Sequence, residues 1–353
     1  MNKTLRIVGP GIVAAALAAS LTACGSSSGN GGSTASIAGG GSSAQEKAQT
    51  AWRAGAGTSA TLTYDSVGSG TGRSNFISGA FKYAGTDAAM KATELASATK
   101  TCGAAPIEIP VFISPIDVAF NLPGIKSLNL DAPTVAKIFA GKITKWNDPA
   151  IATLNHGVAL PSTAITTVHR SDNSGTTANF TDYLNTATPT EWPTPSSGDW
   201  PSAQGESANG TSGVVADVQG GTGTIAYIDD SGVEGTGLGV AKIKVGTSFV
   251  APSAAGAAAD LAASTLVSGN APSVMAYKLN RTPTDPSMYP IFMSSYEVAC
   301  QHYADSATAT DIKKFLTYII SDAGQKAAAS NAYSAPLPAS VSAAELAIVN
   351  KIN

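Results

Sequence analysis

Three times in this chain of 353 residues an extended entry runs into a Gly/Ser-rich turn and then a helix start: at Gly39 to Ala44, Gly68 to Gly72 and Asn173 to Thr177. A helix start leaves backbone N–H groups without intrahelical acceptors and carries the positive end of the helix dipole. Each turn is therefore a potential cradle for an anion. Taken singly, each is equally an ordinary surface loop. Three together, with Arg170 just ahead of the third, favour an anion bearing several oxygens. Arginine offers a planar fork that stays charged, and Asp172 can hold it from behind. The same two residues could instead form a self-contained surface pair of little energetic consequence.

The segments between the turns alternate strand and helix patterns. "GGGSSAQEKAQTAW" predicts Ser43 as an N-cap, Glu46 three residues on, and Ala48, Ala51 and Trp52 on one helical face. "ATLTY" predicts a strand leading through "DSVGSGTG" into a helix over 73–78. "FKYAGTD" is a brief strand with Asp87 at its polar end, and "PIEIPVFISPIDVAF" alternates at Ile107, Ile109, Val111 and Ile113. "DAPTVAKIFAG" has Asp131 as a cap, Pro133 in the first turn and Gly141 past the end. Strand "AITTVHR" delivers "HRSDNSGTTANF", whose helix is expected to bury Phe180, Tyr183 and Leu184. "TSGVVADVQ" and "TIAYI" read as further alternation, and "DIKKFLTYIISDAGQKAA" as one late helix. The order implies an α/β fold with mainly parallel sheets flanked by helices, and about 315 residues are enough for two lobes.

At the amino terminus Lys3 and Arg6 flank an apolar stretch from Ile7 to Leu21 that ends in "LTAC". Residues 1–23 read as a secretory signal. Cys24 at the cleavage point, followed by "GSSSGNGGSTAS", resembles a bacterial lipoprotein signal in which Cys24 carries lipid; a cleaved soluble signal is the alternative. Pro10, Gly11 and the shortness of the run argue against a membrane span. Residues 24–35 then form a flexible tether. Losing Lys3 and Arg6 takes the net charge from −3 to about −5, which argues against nucleic acid as a partner. With Cys24 acylated, Cys102 and Cys300 remain as a pair outside the cytosol, and a disulfide is expected, although spacing also allows two separate buried thiols. Such a bond would place an early and a late segment in one lobe, with the middle of the chain inserted between them.

Enzyme motifs fail in their context. "GSSSG" at 25–29 fits G-x-S-x-G but lies in the tether with no strand before it. "GTGTIA" at 221–226 is a loose dinucleotide string followed by an apolar strand instead of a helix. His156, His169 and His302 are scattered without metal-ligand spacing, so no metal and no cofactor are expected. His169 beside Arg170 is placed near the cleft edge, without a catalytic role.

"FNLPGIKSLNL", "AGKITKWNDPAIATLN" and "VHRSDNSGTTANF", in that order, resemble the phosphate-binding protein family of bacterial high-affinity phosphate ABC importers. The flanks "TYDSVGSGTG", "YAGTDA", "GVVADVQGGTGTIAYI" and "NAYSAPLP" carry the same likeness, which fades between about Asp230 and Met288. It implies a two-lobed periplasmic-binding-protein fold of type II with two hinge crossings, near "ISPID" and "YPIFM". Lobe I would take 36–114 and 291–353, and lobe II 115–290. The implied phosphate contacts are Ser43, Ala44, Ser69, Asp87, Arg170, Ser174, Gly175 and Thr176, with Asp172 orienting the arginine. Ser43 and Ala44 replace a family Thr-Phe pair, and Asn173 stands where a glycine is frequent. The implied partners are inorganic phosphate, the importer's permease and ATPase subunits, and a membrane reached through the lipid on Cys24.

Asp87 faces an anion in this arrangement because phosphate keeps a proton to donate to it, whereas sulfate keeps none; a helix N-cap is a compatible second role. Three other readings remain open: a binding protein for sulfate or molybdate, a phosphate-ester hydrolase on the same lobes, and a purely adhesive lipoprotein. Residues 187–213, with Trp192 and Trp200 among prolines, suggest an ordered surface excursion.

Overall fold

A computed structural model describes residues 35–353 of the chain. The proposed signal, Cys24 and nearly all of the tether lie outside the described residues. The first third builds three short parallel strands, β1 (Ser36–Gly41), β2 (Thr61–Asp65) and β3 (Tyr83–Thr86), joined by helices α1 (Glu46–Gly55) and α2 (Ser69–Ile77). Helix α3 (Ala92–Cys102) then leads into β4 (Ile107–Phe120), whose fourteen residues are all buried. The middle of the chain adds β5 (Ser127–Leu130), α4 (Ala132–Phe139), α5 (Pro149–Leu154), β6 (Thr166–Arg170) and α6 (Gly175–Ala187). It continues through β7 (Glu206–Ala208), α7 (Gly210–Gly220), β8 (Thr224–Asp229), α8 (Asp230–Val233), β9 (Gly239–Val245) and β10 (Ser248–Val250). Helix α9 (Ala254–Ala262) and the small hairpin β11 (Thr265–Leu266) and β12 (Tyr277–Lys278) precede β13 (Phe292–Ala299). Helices α10 (Ser306–Ile319), α11 (Asp322–Ala332) and α12 (Ala339–Val349) close the chain.

The strands form one curled sheet in the order β2-β1-β3-β13-β4-β8-β6-β7, with β9, β5 and β10 branching from β4. Pairing is parallel toward both flanks and antiparallel where β4 and β13 run through the centre. Residues 107–115 of β4 pair with β13, and 116–120 pair with β8. The exchange falls at Pro115, which has no N–H to give to a ladder, so one strand serves both halves of the molecule. The register slips between Ser295, paired with Phe112, and Tyr296, paired with Pro110, so Val111 of β4 is the extra residue of a bulge. Bulges re-aim side chains.

Cys102 and Cys300 are joined in a disulfide that ties the end of α3 to the residue after β13, as their number and compartment predict. It sits in a small apolar cluster with Phe76, Ala84, Met90, Ala98 and Val298. Phe180, Tyr183 and Leu184 are buried on α6, and Asp131 caps α4 by accepting from the Thr134 amide.

Four local expectations need correction. The hydroxyl that holds the first turn is Ser42, which accepts from the Ala44 and Gln45 amides, while Ser43 turns toward Thr211. Helix α2 starts at Ser69, so the Gly/Ser turn is itself the first helical turn. "TSGVVADVQ" is helix α7: Val214 and Val218, four apart, are its buried apolar side chains, and it carries the chain from β7 past β6 to β8. The late helical run is two helices, because Ser321 caps a second start by accepting from the Gly324 amide. Helix α9, also unforeseen, packs with Ile113, Phe292, Ala335 and Leu337, beside the first half of β4.

Candidate functional site

The carboxyl ends of β1, β2, β3 and β6 point to one place, the position at which open α/β sheets bind ligands. The loop after β3 puts Asp87 there, 2% exposed. Its Oδ2 accepts from Ser42 Oγ at 2.5 Å and Ser69 Oγ at 3.4 Å, and its Oδ1 accepts from Ser295 Oγ at 2.6 Å. Burial pushes the Asp87 carboxyl above its ordinary value; the hydroxyls of Ser295 and Ser42 and the charge of Arg170 oppose that rise. Ser69 also takes the Asp87 amide at 3.2 Å and so fixes α2 against β3.

Strand β6 delivers Arg170, 4% exposed. Its Nε and one Nη donate to the two oxygens of Asp172 at 2.7 and 2.5 Å, a bidentate fork. Burial alone would raise the Asp172 carboxyl, but the bonds and charge of Arg170 and the Gly210 amide hold it below the usual carboxylate range. Ser174 caps α6 by accepting from the Thr177 amide at 3.2 Å, which leaves the amides of Gly175 and Thr176 in the unpaired first turn. Thr176 Oγ1 is buried with no protein partner. Tyr227 underpins the motif, accepting from the Arg170 amide and sharing a 2.7 Å bond with Thr177.

The two anion turns that face each other are in contact. The Gly70 amide donates to the Asn173 carbonyl at 3.0 Å. Gly68 has φ +86°, and a Cβ on it would stand 2.2 Å from Asp172 Oδ2, so only glycine fits the junction. Ser43 reaches Thr211 Oγ1 at 3.1 Å and accepts from the Thr211 amide at 3.1 Å. Thr211 in turn donates to Asp229, which also accepts from Ser231.

Of the residues singled out from sequence, Ser69, Asp87, Arg170, Asp172, Ser174, Gly175 and Thr176 come together. Ser43 is turned onto Thr211, and the Ala44 amide is held by Ser42. His169 is buried: its ring stacks on Trp200 with centroids 5.2 Å apart, and Nδ1 lies 3.0 Å from the Arg170 carbonyl. Its part is to pack the 187–213 excursion onto β6. Sequence reading missed Ser42, Ser295, Asn179, Thr211 and Tyr227. It also missed Arg281, which donates to Asp182, Asn179 and the Phe292 carbonyl, while Asn179 donates to the Asp87 carbonyl. The Ser42-Ser43 doublet was a usable signal; Ser295 lies 208 residues from Asp87 and carried none.

A sheet crossed by β4 and β13, with a dipole-lined polar site at its strand ends, defines a two-lobed periplasmic-binding-protein fold of type II. The family model described as a PBP superfamily domain matches residues 26–323. The chain is 36% identical over 280 residues to "Phosphate-binding protein PstS 3" of Mycobacterium leprae, covering 79% of this chain and 75% of that one. It is 35% identical over 297 residues to "Phosphate-binding protein PstS2" of Mycobacterium bovis, covering 83% and 80%. Among solved structures, a high affinity periplasmic phosphate-binding protein bound with phosphate aligns with TM-score 0.68 and 24% identity, over 87% of this chain and 92% of that one. The phosphate binding protein from Stenotrophomonas maltophilia aligns with TM-score 0.70 and 22% identity, over 89% and 94%. At such identities the structural likeness concerns the fold. The chain belongs to the PstS family of phosphate-binding proteins within the PBP superfamily.

Proposed function

We propose that this protein binds inorganic phosphate between its two lobes and hands it to the permease and ATPase subunits of an ABC importer. The observation that carries the reading is Asp87: a buried carboxylate, accepting from three hydroxyls, set among two helix N-termini and Arg170. A wholly cationic site would suit any oxyanion. This one adds an ionised carboxylate, toward which a protonated oxyanion can donate while a proton-free one meets only repulsion, and in a dry cleft that mismatch costs a rival on the order of 2–5 kcal/mol.

The ligand set is Ser69, Asp87, Arg170, Ser174, Gly175 and Thr176, with Asp172 orienting Arg170; Ser43 and Ala44 would join it only by giving up their bonds to Thr211 and Ser42. Because Asp172 neutralises much of the arginine, the attraction comes mostly from oriented amides and hydroxyls, which act strongly where water is expelled. The action is binding without chemical change. Lobe I comprises 36–114 and 291–353, and lobe II 115–290, with α9 of lobe II docked on lobe I. Contact of the two lobes around the ion is the signal that the importer reads.

Delivery requires retention outside the membrane, for which residues 1–23 serve as a lipoprotein signal and Cys24 as the lipid attachment point. Among the described residues no helix is long and apolar enough to cross a membrane. Calorimetric titration of the purified protein with phosphate and with sulfate tests the reading. Phosphate should bind and sulfate should not, and Asp87→Asn should narrow the gap. Equal affinity of wild type for both ions would remove the selectivity argument.

A further inference from the structure

Ser295 and Ser42 have their protons directed by the backbone. Gln45 Nε2 donates to the Tyr296 carbonyl at 2.9 Å, and a carbonyl can only accept, so the nitrogen side of that amide is fixed. The same Nε2 donates to Ser295 Oγ at 2.8 Å. The Ser295 proton must therefore turn to Asp87 Oδ1, 2.6 Å away. Ser42 Oγ takes the amides of Ala44 at 3.1 Å and Gln45 at 3.4 Å, which turns its proton to Asp87 Oδ2 at 2.5 Å. Both Asp87 oxygens thus face hydroxyls that cannot act as acceptors toward them. Ser42, Gln45 and Ser295 are each 1% exposed or less.

The geometry points to Ser295 and Ser42 as positioning residues that keep Asp87 an acceptor, and so set the pH range in which the site refuses oxyanions without a proton. This rests on the phosphate reading of the site. A carboxylic acid on Asp87 would donate, and a proton-free oxyanion would then be welcome. Hydrogen bonds given to the ionised form favour that form. Ser295 stands at a register slip of the central pair, where Val111 of β4 is the extra residue opposite the Ser295–Tyr296 step.

The charged and titratable groups around Asp87 leave this task to the hydroxyls. Arg170 on β6 favours the ionised form, Asp229 at the end of β8 opposes it, and burial outweighs both. Tyr64 on β2 and Glu297 on β13 also feel the Asp87 charge. Burial lifts Glu297 to about 8, so it is mostly protonated at neutral pH and adds little opposing charge.

The test is calorimetric titration with phosphate and with sulfate from about pH 5 to about pH 8 on wild type, Ser295→Ala, Ser42→Ala and Ser295→Thr. In each Ala variant sulfate binding should set in about one to two pH units higher than in wild type, with phosphate still bound near neutrality. Ser295→Thr keeps the hydroxyl and should track wild type. Sulfate profiles of both Ala variants lying on the wild-type curve would overturn the inference while leaving the phosphate reading intact. Should Ser295→Ala fail to fold, Ser42→Ala decides by the same criterion. A wild type that binds no phosphate removes the site reading and this inference together.

Discussion

A Cβ built on Gly175 stands 2.7 Å from Asp87 Cβ and 2.7 Å from Ser69 Oγ. The first turn of α6, from the middle of the chain, is thus pressed directly onto the β3 loop and α2, from its beginning. No methyl group fits between them without moving one half from the other.

Gly175→Ala should therefore hinder closure without unfolding either half. Forcing a methylene into a packed contact costs about 1–3 kcal/mol, or roughly five- to more than a hundredfold in an equilibrium constant. Phosphate affinity by calorimetry should fall by about that factor while the melting temperature of the ligand-free protein barely changes. Unchanged affinity would show that the two turns do not need to meet this closely.

Arg170→Lys keeps the charge but loses the two-pronged grip on Asp172 and the planar face toward the ligand. Phosphate binding should weaken by about ten- to a hundredfold. Asp172→Asn should show a further effect on acid stability. Because the folded Asp172 carboxyl is held below its ordinary value, its stabilisation is present above that value and is lost as pH falls through the folded one. The variant should lack this part of the acid-side loss in melting temperature.

Glu345 is 0% exposed with neither carboxyl oxygen hydrogen-bonded, and burial pushes it up to about 9. A raised carboxyl contributes most to stability below the unfolded value of 4.5, and that contribution is lost as pH rises toward 9. Glu345→Gln removes the ionisation, so its melting temperature should exceed that of wild type by several degrees at about pH 8 and by much less at about pH 5. Parallel melting curves at both values would count against a buried acid at this position.

The Cys102–Cys300 bond closes a loop with a sequence separation of 198 and lies beyond Tyr83, at the opposite end of β3 from Asp87. Replacing both cysteines by alanine should lower stability by about 2–5 kcal/mol. Phosphate affinity measured well below the melting point should stay within about twofold. A large loss of affinity would mean that the bond also shapes the cleft.

The sequence alone determined what short-range chemistry can determine. The Ser174 cap, the Arg170–Asp172 fork, the Asp131 cap and the buried face of α6 depend on neighbours within a few residues, so their signals sit in "HRSDNSGTTANF" and "DAPTVAKIFAG" themselves. The cysteine pair was readable by count and compartment. The Val214 and Val218 spacing in "TSGVVADVQ" was present too, but two intervening apolar or small residues made it look like alternation. What only the tertiary structure decided is which distant atoms close the site. Ser295 meets Asp87 because β13 returns through the centre of the sheet between β3 and β4, and Arg281 meets Asn179 because the segment after α9 folds back on the crossing strand. Such meetings depend on register and chain crossing, which no local pattern encodes.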